Sequence, residues 1–150
     1  MKRQQYINSK ITTLAPTGSL GKGRNNPLCP ADLFKTAKEC YTAGASVMDL
    51  HARDLQGNLT TDMIFLQETS AGINQSSGML IEASTGCLSD FTPKEKELPS
   101  TVPDAVMGSV NLGTINFGNE VYKNTPSSVN SWIQQMKLIS LLHGCICLNK

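Results

Sequence analysis

Four short apolar runs punctuate the chain: ITTLA (11–15), SVMDL (46–50), MLIEAS (79–84) and AVMGSVNL (105–112). They begin about 25–35 residues apart, the repeat of a strand followed by a helix. Helical patterns fill the intervals. After Pro30, the residues Leu33, Phe34, Ala37, Cys40 and Tyr41 recur at helical spacing, while Lys35, Lys38 and Glu39 fall elsewhere on the wheel. Pro30 suits a first helical turn and Gly44 suits the position just past the end. In TPSSVNSWIQQMK, Thr125 can cap a helix that Pro126 opens, and Val129, Trp132, Ile133 and Met136 form one apolar stripe. Two intervals are weaker. TDMIFLQETSAGINQSSG starts as a helix, but Gly72, Ser76, Ser77 and Gly78 loosen its second half. TPKEKELPSTVP allows only a short helix, broken by Pro99 and Pro103. Strand and helix alternate through four units, which predicts an α/β fold with a parallel sheet and helices packed outside.

The second apolar run continues as SVMDLHARD. On an extended chain Asp49, His51 and Arg53 share one side with Val47, and Met48, Leu50 and Ala52 share the other. A half-wet antiparallel strand alternates in the same way, but parallel strands have both faces covered. In parallel α/β folds ligands bind at the carboxyl ends of strands. The four runs lead into APTGS, then His51-Ala52-Arg53, then Ser84-Thr85-Gly86, then Asn111 and GTINFG. The side chains of Asp49 and His51 start roughly 7 Å apart on one face. A carboxylate oxygen and an imidazole nitrogen both suit zinc, manganese or iron. Two ligands do not complete a site, and the other histidine, His143, is near the end of the chain. For Asp49 an ion pair with Arg53 or a lysine is the competing assignment.

Composition narrows the partners. The 150 residues suffice for one domain with a core. Thirteen basic and 12 acidic residues leave a net charge of +1, too weak a field to recruit nucleic acid or an anionic membrane. No apolar run approaches the ~20 residues that span a bilayer, and MKRQQYINSK lacks the apolar core of a signal peptide. A cytoplasmic location is expected. Five irregularly spaced cysteines argue against a disulfide framework, and Cys145 and Cys147 have no second ligand pair that would make them a metal motif. TGSLGKGRN has the glycine spacing of a phosphate loop at Gly18 and Gly23, but Arg24 and Asn25 stand where lysine and Ser or Thr are needed. These glycines are expected to form a mobile loop over the site.

Several segments together carry a family resemblance: LAPTGS, PADLFKTAKECYTAGASVMDLHARD, EASTG and SVNLGTINFGNEVYKNTP. In that order they resemble the amino-terminal half of the beta-keto acid cleavage enzymes, whose founding activity is 3-keto-5-aminohexanoate cleavage. The resemblance spans roughly residues 10–137. It implies a metal-dependent TIM (β/α)8 barrel, usually with zinc or another divalent metal. It implies a transferase of amino acid catabolism that uses acetyl-CoA to cleave a small-molecule β-keto acid, giving acetoacetate and a new acyl-CoA. His51 matches the second histidine of the family's HxHxR motif, and Arg53 matches its arginine. Ser84 and Thr85 match the STG near the substrate, and Asn111 falls in the strand-four motif lining the site. His51 and Asp49 are thus the expected metal ligands, and Arg53, Ser84, Thr85 and Asn111 the expected substrate contacts.

The sequence departs from the family pattern in three places. Asp49 stands where the family has its first metal histidine. Leu20 stands where an acid often follows APTG. The family's third metal ligand and catalytic acid belong to a late RVGxED motif that these 150 residues do not contain. The expectation is therefore a truncated barrel: its first four βα units over residues 1–137, followed by a divergent tail at 138–150. A half barrel has open strand edges, so a homo-oligomer is expected. Two alternatives remain at this level, a non-catalytic remnant of the family fold and a generic α/β binding module.

Overall fold

A computed structural model describes residues 11–17, 26–86, 91–117, 120–138 and 142–146. The strands β1 (Thr13–Leu14), β2 (Val47–Leu50), β3 (Leu80–Ser84) and β4 (Ala105–Asn111) pair in sequence order. Every pairing is parallel, with Thr13 opposite Val47, Val47 opposite Leu80 and Ser84 opposite Ser109. An irregularity in register falls at Ile81/Glu82, where Ala105 and Met107 are the successive partners on β4. The helices α1 (Pro30–Thr42), α2 (Met63–Ser76) and α3 (Pro93–Glu97) fall in the first three crossovers. A 3-10 turn at Leu98–Thr101 follows α3 directly. Beyond β4 come a small antiparallel hairpin, β5 (Ile115–Phe117) and β6 (Glu120–Tyr122), then α4 (Pro126–Leu138).

The tail contributes a fifth strand. The segment β7 (Leu142–Ile146) runs parallel to β4, with Met107 opposite Leu142 and Asn111 opposite Ile146. The count of four βα units thus becomes four units and a further strand, and the sheet order is β1-β2-β3-β4-β7.

Local sequence explains the elements. Gly44, just past α1, has φ +103°, a backbone region L side chains rarely adopt. α2 runs to Ser76 despite Gly72. A Cβ at Gly72 would lie 2.2 Å from the Phe34 ring of α1, so the glycine lets the two helices approach rather than ending one. Asp62 caps α2 by accepting from the Ile64 amide at 2.8 Å. Asp104 ties α2 to the entry of β4, accepting from Ser70 Oγ at 3.2 Å and Asn74 Nδ2 at 2.8 Å. Thr125 Oγ1 accepts from the Ser128 amide at 3.2 Å and caps α4 as its sequence predicts.

Two apolar clusters cover one face of the sheet. Met48, Leu50 and Ile81 meet Leu33, Ala37 and Ile73 of α1 and α2. Ala83 and Val110 meet Leu66, Trp132 and Met136, joining α2 and α4 to the other end. Gly108 lets α4 lie close on β4, since a Cβ there would come within 2.6 Å of Met136 Cε. Strand alternation sends Asp49, Glu82, Ser84, Ser109 and Asn111 to the opposite face. Leu80 also points that way and is 49% exposed.

Trp132, 1% exposed, joins this core to α3 through its indole Nε1, which donates to the Pro93 carbonyl at 2.8 Å. Replacing Trp132 by Ala is expected to cost about 3–5 kcal/mol through the cavity it leaves. Trp132→Phe should cost less, because it retains most of the apolar contact and loses the hydrogen bond. Urea unfolding followed by far-UV circular dichroism measures both; a Trp132→Ala midpoint equal to the parent's would refute this account of the core.

Candidate active site

The parallel register gathers polar side chains at one edge. Asp49 of β2 and Glu82 of β3 are cross-strand partners, so their carboxyl groups stand side by side on one face. Burial, and secondarily the charge of Asp49, push Glu82 above the usual glutamate range. His51 follows directly after β2, and its Nε2 lies 3.6 Å from Asp49 Oδ2. The His51 side chain is 8% exposed. Asp49 Oδ1 is buried with no hydrogen-bond partner.

That pair bears directly on a metal. A buried carboxylate oxygen without a donor, next to an imidazole nitrogen, is a fitting half of a divalent-cation site. Among the described residues no group of three or more His, Cys, Asp or Glu is arranged to hold a metal ion. Asp49 and His51 thus supply two donors, and completion needs ligands from outside the described residues. His143 and Cys145 lie on β7 by their backbone. Cys147, Leu20 and the glycines of residues 18–25 lie outside the described residues.

Ser84, Thr85 and Asn111 sit together. Ser84 Oγ accepts from the Gly86 amide at 3.2 Å and lies 3.4 Å from Ser109 Oγ. Thr85 Oγ1 donates to the Ser109 carbonyl at 2.7 Å, clamping the ends of β3 and β4. Asn111 Nδ2 donates to the Tyr122 hydroxyl at 3.2 Å, and that hydroxyl donates to the Thr85 carbonyl at 3.4 Å. The β5–β6 hairpin thereby reaches back to the strand ends. Gly86 packs closely here: a Cβ would lie 3.3 Å from both Ser84 Oγ and the Tyr122 hydroxyl, so those groups would have to give by a few tenths of an ångström.

Arg53 lines a second cleft, which His51 also borders. The strand ends at Leu50, and Arg53 forms an isolated antiparallel bridge with Leu59. Its Nη1 donates to the Gly57 carbonyl at 2.8 Å. Burial lowers its pKa, an effect the neighbouring Asp54 opposes, and the guanidinium remains cationic. The turn holding it is built on Asp54, whose Oδ1 accepts from the amides of Gln56 at 2.9 Å and Asn58 at 2.8 Å. Gly57 closes the turn at φ +80°. His51 lies between two clefts: one shared with Ser84, Thr85 and Lys96, the other with Thr17, Arg53 and Thr69.

Lys96 is the least expected member. A capping box fixes the short α3: Glu95 N donates to Thr92 Oγ1 at 3.3 Å, and Thr92 N donates to Glu95 Oε2 at 2.7 Å. With Trp132 holding Pro93, this places Lys96 inward, where it is 7% exposed. Its Nζ lies 5.0 Å from the centroid of the Tyr122 ring. Among the described residues no carboxylate pairs with it. That cation–π contact is worth about 0.5–2 kcal/mol.

The sequence pattern pointed to Asp49, His51, Ser84, Thr85 and Asn111, and the structure brings these to one edge. It missed Glu82, although the alternation of MLIEAS puts Glu82 and Ser84 on one face. Lys96 lies in a charged segment and carried no signal. Tyr122 stood inside the quoted NFGNEVYKNTP stretch without a role.

A parallel α/β chain with a carboxylate–imidazole pair and hydroxyl groups at its strand ends belongs among the ligand-binding α/β folds. The beta-keto acid cleavage enzyme family model matches residues 10–148, and the chain belongs to that family. It is 28% identical over 135 residues to the 3-oxoadipate:acetyl-CoA acetyltransferase of Cupriavidus necator, covering 87% of this chain and 47% of the relative. It is 30% identical over 131 residues to the 3-keto-5-aminohexanoate cleavage enzyme of Acetoanaerobium sticklandii, covering 84% and 48%. The chain thus spans about half the length of these curated relatives. The oxaloacetate complex of ObcA superimposes with a TM-score of 0.69 at 13% identity, over 83% of this chain and 31% of that one, a likeness of fold.

The Asp54 turn has a pH signature. Hydrogen bonds, chiefly from the Asn58 amide, hold its carboxyl below the usual aspartate range. Its contribution to stability is therefore present above the unfolded value of about 3.9 and lost as pH falls through the lower folded value. Asp54→Ala should destabilise the chain at neutral pH, and the gap from the parent should narrow towards about pH 3. Urea midpoints across that range test this; a gap constant with pH would show that the carboxylate is not the source.

Proposed function

We propose that this chain forms part of a metal-dependent beta-keto acid cleavage enzyme. The overall reaction converts a β-keto acid and acetyl-CoA to acetoacetate and a new acyl-CoA. The keto acid's acyl carbon passes to coenzyme A, and its CH2–COO− fragment takes up the acetyl group. The observation that carries this reading is the His51–Asp49 pair, with its unpartnered buried oxygen, at the strand ends of a chain belonging to this family.

His51 and Asp49 would hold the divalent metal, zinc in the simplest case. When bound, such a metal polarises the keto oxygen and stabilises the enolate charge of carbon–carbon cleavage. Ser84 and Asn111 present a hydroxyl and an amide to the same space and would orient the acid. Thr85 has its hydroxyl proton committed to Ser109 and would act mainly by fixing the strand ends. Arg53 would reach an anionic group from the second cleft. The sheet would form the first part of a (β/α)8 barrel. The half-exposed Leu80 on the polar face and the edges at β1 and β7 support that reading, since further strands would cover them. Those strands would come from further chain or from a second copy.

A non-catalytic binding unit is favoured by one observation, the lack of a third ligand among the described residues. Two measurements separate the readings. Metal analysis of the purified chain is expected to find zinc or another divalent ion near one per active site, and His51→Ala should remove it. Acetoacetate release from acetyl-CoA and a panel of β-keto acids should fall at least about a hundredfold in His51→Ala. Bound metal without acetoacetate release would favour the binding unit; neither metal nor turnover would overturn the enzyme reading for this chain.

A further inference from the structure

The hydroxyl of Tyr122 carries a single proton and stands between two groups. One is the Thr85 carbonyl, 3.4 Å away, and the other is Asn111 Nδ2 at 3.2 Å. A carbonyl can only accept, so the phenolic proton goes to Thr85. The phenolic oxygen then accepts from Asn111, and the nitrogen is the one carboxamide atom that can donate. Thr85 is not free to turn away. Its own hydroxyl is tied to the Ser109 carbonyl at 2.7 Å, and the residue is buried, as is Tyr122. The Asn111 carboxamide is therefore held one way round, with its nitrogen committed to Tyr122.

That orientation sets a polarity. Asn111 ends β4 and is half-buried, and among the described residues no other hydrogen bond engages its carboxamide. Its oxygen is the atom left for a ligand, and an oxygen accepts. Ser84 is the complement. Its Oγ already accepts from the Gly86 amide at 3.2 Å and from Ser109 Oγ at 3.4 Å, so its own proton is what remains to be given. The groups are close together: a Cβ on Gly86 would lie 3.3 Å from Ser84 Oγ and the Tyr122 hydroxyl and 3.5 Å from Asn111 Nδ2. This edge thus offers one donor and one acceptor rather than two donors. A carboxylate suits Ser84 but gains nothing from the Asn111 oxygen, whereas an O–H or N–H does.

We propose that Tyr122 is a positioning residue that acts through Asn111. By holding the carboxamide nitrogen it leaves the oxygen for the ligand, so Asn111 serves the site as a hydrogen-bond acceptor. The proposal rests on the reading of Asn111 as a contact of the β-keto acid site. Within that site it divides the work: the acid's carboxylate belongs with Ser84, and Asn111 receives a donor from either reactant.

Side-chain amide NMR of the 15N-labelled full chain reads the orientation without turnover. The NH2 pair that disappears in Asn111→Asp is that of Asn111. Its protons are expected to exchange with water at least about tenfold more slowly than those of Asn130, which is exposed on α4. Tyr122→Phe keeps the ring and removes only the hydroxyl. It should bring the two rates together while far-UV circular dichroism and Trp132 emission stay as in the parent. Equal rates in the parent, or slow exchange that survives Tyr122→Phe, would overturn the proposal. Acetoacetate release supplies a second readout. Tyr122→Phe should lower kcat/KM about threefold to tenfold in the parent, the scale of one neutral hydrogen bond, and less than about twofold in Asn111→Leu. An equal drop in both backgrounds would mean that Tyr122 acts on the frame and not through Asn111, and would also overturn it. Should Tyr122→Phe fail to fold, the parent's Asn111 and Asn130 rates still decide. A parent without turnover counts against the cleavage reading alone, and the exchange rates then settle the role of Tyr122.

Discussion

The site depends on one constraint, the parallel pairing of β1 to β4 in sequence order. Parallel neighbours all end on the same edge of a sheet, so residues far apart in sequence are delivered to one place. Asp49 and Glu82 meet because they are register partners, and Ser84 and Ser109 meet for the same reason. A shift of one residue in either pairing would turn the polar set into the helix-covered core and the apolar set out of it. The apolar packing of Met48, Leu50, Ile81 and Ala83 therefore does more than stabilise the sheet. It fixes which side chains reach the strand ends.

Polar groups at that edge fall into two kinds. Thr85, Ser109, Tyr122 and Asn111 bond largely to one another and make a rigid frame. Asp49, His51 and Lys96 are held in place by the fold but have chemical capacity left over, as the unpartnered Asp49 oxygen shows most directly. A frame of satisfied groups around a few unsatisfied ones is the arrangement expected of a preorganised site, where fixed dipoles await a ligand. Burial of Glu82, and secondarily the charge of Asp49 beside it, raises the Glu82 pKa, so the two carboxyl groups are placed together at an electrostatic cost.

Much of this was legible in the chain itself. The four apolar runs became β1 to β4, and the helices after Pro30 and Thr125 start where proline and a capping hydroxyl put them. What failed did so for identifiable physical reasons. Gly72 reads as a helix breaker locally, yet its missing side chain is what admits Phe34, and tertiary packing outweighed propensity. Arg53 lies beyond the strand, which stops at Leu50, yet it still lines a cleft together with His51. The fifth strand was hidden because LHGCI lacks the alternation and flanking signals of the other four. Lys96 could not be read at all, since a lysine among charges looks solvated until Thr92, Glu95 and Trp132 are seen to turn its helix inward.

The Trp132–Pro93 hydrogen bond has a spectroscopic consequence. Trp132 is the one tryptophan of the 150 residues, so all indole emission arises where α4 grips the helix that carries Lys96. Any rearrangement of that helix changes the polarity and hydrogen bonding around the ring, and with them the colour and yield of the light it emits. The chain therefore carries its own optical reporter, one helix away from the cleft, on the element that shapes the cleft's far end.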